Sequence, residues 1–146
     1  MGKTKELRQA KYIYHDYYCA AYKNINSIFE YYKSKNEKIG IWGAGLKGLA
    51  FLDLYDSNRQ YISVVYDNNE KRWGTIMQTG HPICSIEEEK FSDVTVILLM
   101  NNNYETEIAG KLRKVQKKVA LINIDSVILG KLNLDKTLEL YGEKIC

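Results

Sequence analysis

At 146 residues the chain can bury one good hydrophobic core and is too short for two full domains. Its 45% hydrophobic and 27% charged residues are those of an ordinary globular protein, which excludes a disordered or fibrous chain. The net charge of +3 comes from 21 basic and 18 acidic side chains scattered along the sequence, so a nucleic-acid partner is not expected.

No run of apolar residues is long enough to span a membrane, and the opening Met1-Gly2-Lys3-Thr4-Lys5-Glu6 lacks the apolar core of a secretion signal. Cys19, Cys84 and Cys146 are odd in number and share no metal-ligand spacing. They read as reduced thiols of a cytoplasmic protein, with no metal site.

From Lys5 to Tyr32 there is no glycine or proline, and Leu7, Tyr14, Tyr18, Ala21, Ile25, Ile28 and Tyr32 recur in threes and fours. This spacing predicts one long amphipathic helix, closed by the polar run Lys33 to Glu37. Its tyrosine-rich face fits two placements equally well. It could pack on the rest of the chain, or it could pair with a second copy or a larger enzyme.

Residues 1–37 therefore stand as a helix and linker, and 38–146 as the main domain. Lys38 to Trp42 and Tyr61 to Tyr66 read as strands, with a helix from Leu46 to about Ser57 between them. Asp67 to Gly80 is a loop. His81 to Cys84 is a short edge strand, because Pro82 cannot donate to a central ladder. Ser85 caps a helical turn through Glu88.

Val94 to Met100 and Val119 to Ile124 are continuous apolar runs, the pattern of strands buried on both faces of a parallel sheet. A helix carrying Ile108, Leu112 and Val115 joins them, and a last helix is placed at Asp135 to Tyr141. Strands alternating with helices mean an open parallel α/β sheet.

Between the first strand and its helix lies Gly43-Ala44-Gly45-Leu46-Lys47-Gly48, a G-x-G-x-x-G turn in the context that gives it meaning. Gly43 permits the tight turn, Gly45 lets a phosphate approach the backbone, and Gly48 lets helix and strand lie close. The N–H groups of the first helical turn then face an anion. Asp67, at the end of the second strand, is placed to accept hydrogen bonds from ribose hydroxyls, with Asn68 beside it. Packing alone would also use such a turn, with Asp67 capping Asn68-Asn69.

Asn101 follows the strand ending at Met100, on the sheet edge where open α/β folds bind ligands, and Asn103 is read as a helix cap. His81, in a loop, has no inferred partner, and no catalytic pair is placed. These features describe a Rossmann-like domain binding a small nucleotide ligand.

Ile41-Trp42-Gly43-Ala44-Gly45, Val65-Tyr66-Asp67-Asn68-Asn69, Lys71-Arg72-Trp73-Gly74, Gly80-His81-Pro82-Ile83 and Val94-Thr95-Val96-Ile97-Leu98 follow one another in an order that resembles the C-terminal domain of nucleotide-sugar C-methyltransferases. A similar pattern opens bacterial sugar O- and N-acetyltransferases, as their nucleotide-sugar-binding domain. The resemblance implies a nucleotide-sugar ligand and a setting in sugar or polysaccharide modification, as one module of a larger enzyme. An NAD(P)-binding oxidoreductase-like domain and a ligand-free association scaffold are the alternatives.

Overall fold

The computed structural model describes residues 5–19, 21–101 and 105–128, apart from the side chains of residues 16, 17 and 128. In chain order the elements are α1 (Lys5–Cys19), α2 (Tyr22–Ser34), β1 (Lys38–Trp42), α3 (Leu46–Tyr55), β2 (Ile62–Tyr66), β3 (Ile83–Cys84), β4 (Val94–Leu99), α4 (Glu105–Lys114), β5 (Ala120–Asn123) and α5 (Ile124–Ile128). Single 3-10 turns occupy Glu70–Arg72 and Glu89–Phe91. Among the described residues the five strands form one parallel sheet in the order β3-β2-β1-β4-β5. This is the open, helix-flanked α/β sheet that the alternating pattern implies.

The apolar runs of the central strands divide between two faces, as strand alternation requires. Ile39, Ile41, Val65, Val96, Leu98 and Ile122 join a core shared with α1, α2, α3 and α5. Trp42, Val64, Tyr66, Ile97, Leu99 and Leu121 form the opposite core, under Ile108 and Leu112 of α4. Covering both faces with helices is what makes those strands apolar throughout.

The amphipathic N-terminal segment is helical, but as two helices rather than one. Ala21 leaves helical geometry at φ −103°, ψ 6°, and no side chain caps α2 there. Because no glycine or proline marks the break, the hydrophobic spacing runs through it undisturbed. Packing produces the break, since the two helices serve different neighbours. α1 lies along α3, tied by Lys11 to Asp53 at 3.1 Å, while α2 sets Ile25, Ile28, Phe29 and Tyr32 into the core.

Leu7, Tyr18, Ala21, Ile25, Ile28 and Tyr32 are all buried within the chain, and Tyr14 is half-buried. The apolar seam of the tyrosine-rich face thus packs inside the chain, while Tyr12 and Tyr22 stay exposed. Aromatic edges hold it there: the Tyr18 ring meets Phe51 and Tyr55 edge-on at 5.7 and 5.9 Å, and Phe29 stacks on Tyr61 at 4.7 Å.

β3 stands at the sheet edge, consistent with Pro82 beside it, and its outer side is covered by the preceding loop. The Gly74 N–H donates to the Ile83 carbonyl and the Ile83 N–H to the Thr75 carbonyl, both at 2.9 Å. Ser85 accepts the Glu87 N–H through Oγ at 3.2 Å and the Glu88 N–H through its carbonyl at 3.1 Å, so a single capped turn forms at Ser85 to Glu88, and a 3-10 turn follows at Glu89–Phe91. The helix expected at Asp135 to Tyr141 lies outside the described residues. No helix among the described residues is long and apolar enough to cross a membrane.

Tyr32 carries a polar cost. Its side chain is fully buried, and its hydroxyl has no hydrogen-bond partner among the described residues. Burial, then the nearby Glu37 and Tyr31, raises its pKa above the usual tyrosine value. Removing an unsatisfied buried hydroxyl while keeping the ring is neutral or favourable, so Tyr32→Phe should raise stability by up to about 1 kcal/mol. Urea denaturation monitored by circular dichroism measures it, and a clear loss of stability would show that the hydroxyl is satisfied.

Candidate functional site

β1 ends at Trp42 in the middle of the sheet, and the chain must turn there before α3 can begin. The turn is held on both sides by main-chain bonds. The Gly43 N–H donates to the Tyr66 carbonyl at 2.9 Å, and the Met100 N–H to the Trp42 carbonyl at 3.1 Å. Gly43 has φ +127°, which side chains rarely tolerate.

Gly48 is required for a different reason. A Cβ there would lie 2.1 Å from the Gly43 carbonyl oxygen, so helix and turn touch through the missing side chain. Gly45 has neither constraint. Its φ is −82°, and a Cβ built on it would meet nothing within 4 Å. It is the N-cap of α3, and makes no side-chain cap hydrogen bond there.

Asp67 clasps this turn. Its Oδ2 accepts the Ala44 N–H at 2.8 Å and its Oδ1 accepts the Asn69 N–H at 2.8 Å. Arg72 closes the clasp from above, donating through Nη1 to the Ala44 carbonyl at 2.5 Å and standing 4.0 Å from the Asp67 carboxylate. Trp73 donates its indole N–H to the Asp67 carbonyl at 2.7 Å. The Lys71-Arg72-Trp73-Gly74 segment thus braces the turn from the β2–β3 connection.

A cavity of about 640 Å³ opens over the turn, at the carboxyl ends of β1 and β4. Gly43, Ala44, Gly45, Leu46, Lys47 and Gly48 form one wall, and Asp67 and Asn101 also border it, so the structure brings these expected site residues together. Asn68 is the exception. It faces a smaller cavity of about 210 Å³ beneath α4, where its Oδ1 accepts a hydrogen bond from Lys111 at 2.8 Å. Asp67 borders both cavities. Asn103 lies outside the described residues.

Further side chains of the larger cavity were not singled out from the sequence as ligand contacts: Tyr14 of α1, Asn69, Met100 and Asp125 of α5. Asp125 pairs with Lys47 at 2.8 Å, both side chains being half-buried. The two cations of the site, Lys47 and Arg72, are therefore each set against a carboxylate.

His81 belongs elsewhere. It is fully buried, with Nε2 2.9 Å from Asp56 Oδ2 and Nδ1 2.7 Å from the Thr79 hydroxyl. Asp56 also accepts the backbone N–H groups of Gln60, Tyr61 and Ile62 at 2.7, 3.0 and 2.9 Å. The histidine expected in a loop without a partner is instead the lock between the end of α3, the start of β2 and the sheet edge.

The model of the C-methyltransferase C-terminal domain family matches residues 7–123, which takes in the glycine turn, the Asp67 clasp and both N-terminal helices. The chain belongs to this family. Among solved structures, this C-methyltransferase C-terminal domain is similar to UDP-D-quinovosamine 4-dehydrogenase from Vibrio fischeri, at 25% identity, covering 67% of this chain and 88% of that one with a TM-score of 0.45. No curated protein matches.

The turn of this C-methyltransferase C-terminal domain makes opposite demands on two glycines. Gly48→Ala forces a methyl group into a backbone carbonyl and should destabilise by about 3 kcal/mol, the upper end for overpacking. Gly45→Ala enters open space and should cost less than about 1 kcal/mol. Urea midpoints of the two variants test this, and equal losses would contradict the close approach at Gly48.

Proposed function

We propose that this C-methyltransferase C-terminal domain is a nucleotide-binding module whose preferred ligand is a nucleotide-sugar, serving carbohydrate modification. Gly45 is the observation that carries the reading. Gly43 and Gly48 are accounted for by backbone geometry and packing, whereas a Cβ at Gly45 would meet nothing among the described residues within 4 Å, and the residue borders the cavity.

In this reading the N–H groups at the start of α3 hold the phosphates, since a helix N-terminus offers unpaired donors and a favourable dipole. Lys47 turns from Asp125 toward the phosphate charge, with Arg72 on the other side. Asp67, already oriented by two backbone N–H groups, keeps lone pairs for a ribose hydroxyl, and Asn101 borders the far part of the ligand. Asn68 would meet only a portion reaching past Asp67. Association with a second copy or a larger enzyme would use the outward-facing Tyr12, Ile13 and Tyr22, because the inner seam is buried.

Because Asp67 also braces the turn, Gly45 is the cleaner site to perturb. Its extended backbone accepts a β-branched residue, and a side chain there would stand where phosphate approaches. Calorimetric titration with UDP- and dTDP-sugars and NAD should show a nucleotide-sugar bound more tightly than NAD. Gly45→Val should weaken that binding at least about tenfold, or by 1.4 kcal/mol, in a variant that stays folded with a melting temperature within a few degrees of wild type. Preference for NAD would favour the oxidoreductase-like reading, and wild-type protein that binds no nucleotide would leave an association scaffold.

A further inference from the structure

The cavity is roomier than a phosphate group needs, and Tyr14 of the N-terminal helix α1 lines it together with the glycine turn. Tyr18 fixes that helix to the site: its hydroxyl donates to the Lys47 carbonyl at 3.1 Å, in the first turn of α3. Its own carbonyl accepts a hydrogen bond from the Tyr55 hydroxyl near the end of α3.

Tyr14 lies one helical turn before Tyr18 and so on the same face of α1. The two rings are in tilted contact at 6.1 Å. This places Tyr14 at the cavity, half-buried, as one of the residues that line it with Gly43 to Gly48. The anion-binding end of α3 and an aromatic ring from α1 therefore bound one space at a spacing set by the Tyr18 bond.

We propose that Tyr14 is a specificity-determining residue, its ring packing against a ring of the ligand that lies beyond the phosphates. The proposal rests on the nucleotide-sugar reading above and adds to it a means of distinguishing a full ligand from its bare phosphates. Apolar ring contact carries the interaction, since a base presents a π face and a pyranose a face of C–H groups, and an aromatic ring packs against either.

Pyrophosphate and a UDP-sugar, each titrated into wild type, Tyr14→Phe and Tyr14→Ala, separate the two readings. Pyrophosphate should bind all three proteins alike. The UDP-sugar should bind Tyr14→Phe as it binds wild type and Tyr14→Ala roughly tenfold more weakly, the scale of one aromatic contact. Melting temperatures identify any variant that no longer folds, and Tyr14→Leu then replaces the alanine variant. Equal UDP-sugar affinity in wild type and Tyr14→Ala overturns the proposal, as does a Tyr14→Phe variant as weak as Tyr14→Ala, which would assign the effect to the hydroxyl. Wild type that binds neither ligand overturns the underlying reading instead.

Discussion

The contact between Gly48 and the Gly43 carbonyl governs the geometry of the whole carboxyl edge. With a side chain's worth of space absent between them, α3 leaves β1 at the one distance and angle that this approach allows. From that angle follow the alignment of the Ala44 N–H with Asp67, the reach of Tyr18 to the Lys47 carbonyl, and the meeting of Lys47 with Asp125. The first ties the end of β2 to the glycine turn, and the other two tie α1 and α5 to the first turn of α3. Tightening or loosening one contact between backbone atoms would be felt by α1, β2 and α5 alike.

The polar groups of the molecule are arranged in two bodies of different character. Around Asp56 and His81 burial is nearly complete, and backbone N–H groups and the Thr79 hydroxyl surround the pair. An arrangement of this kind specifies a corner of the fold, and breaking it leaves charge or dipoles stranded. Around the glycine turn the same residue types stand beside open space, and the carboxylates hold backbone N–H groups and cations at once. His81, one of the two histidines of the chain, thus belongs to the buried corner and not to the cavity.

Much of this was legible in the residues themselves. The β1–turn–α3 unit could be read because three glycines at fixed spacing follow a short apolar run, and β4 and β5 because unbroken apolar runs have few other uses. Asp67 was found by its place at the end of β2. The break between α1 and α2 left no mark, because packing on two different surfaces made it and the spacing of apolar residues continues across it. Tyr14 and Asp125 escaped notice for a related reason. Asp125 reaches Lys47 across a sequence separation of 78, and Tyr14 looks like any other tyrosine of its helix until the fold places it. The Asp56–His81 pair, 25 residues apart, is likewise created by the fold, since neither residue belongs to a local motif.

The strand order has a bearing on how the chain is made. Among the described strands β1 is synthesised first, and it ends up in the centre, flanked by β2 on one side and β4 on the other. A nascent chain that has reached the end of β3 can pair β1 with β2, yet the opposite edge of β1 keeps an open ladder until Leu99 has emerged. Such an edge is a template for the wrong neighbour. Throughout that interval α1, α2 and α3 are already available to shelter one face of the sheet, while the other waits for α4, so the order of the elements concentrates the hazard of misassembly on the face that carries Trp42 and Tyr66.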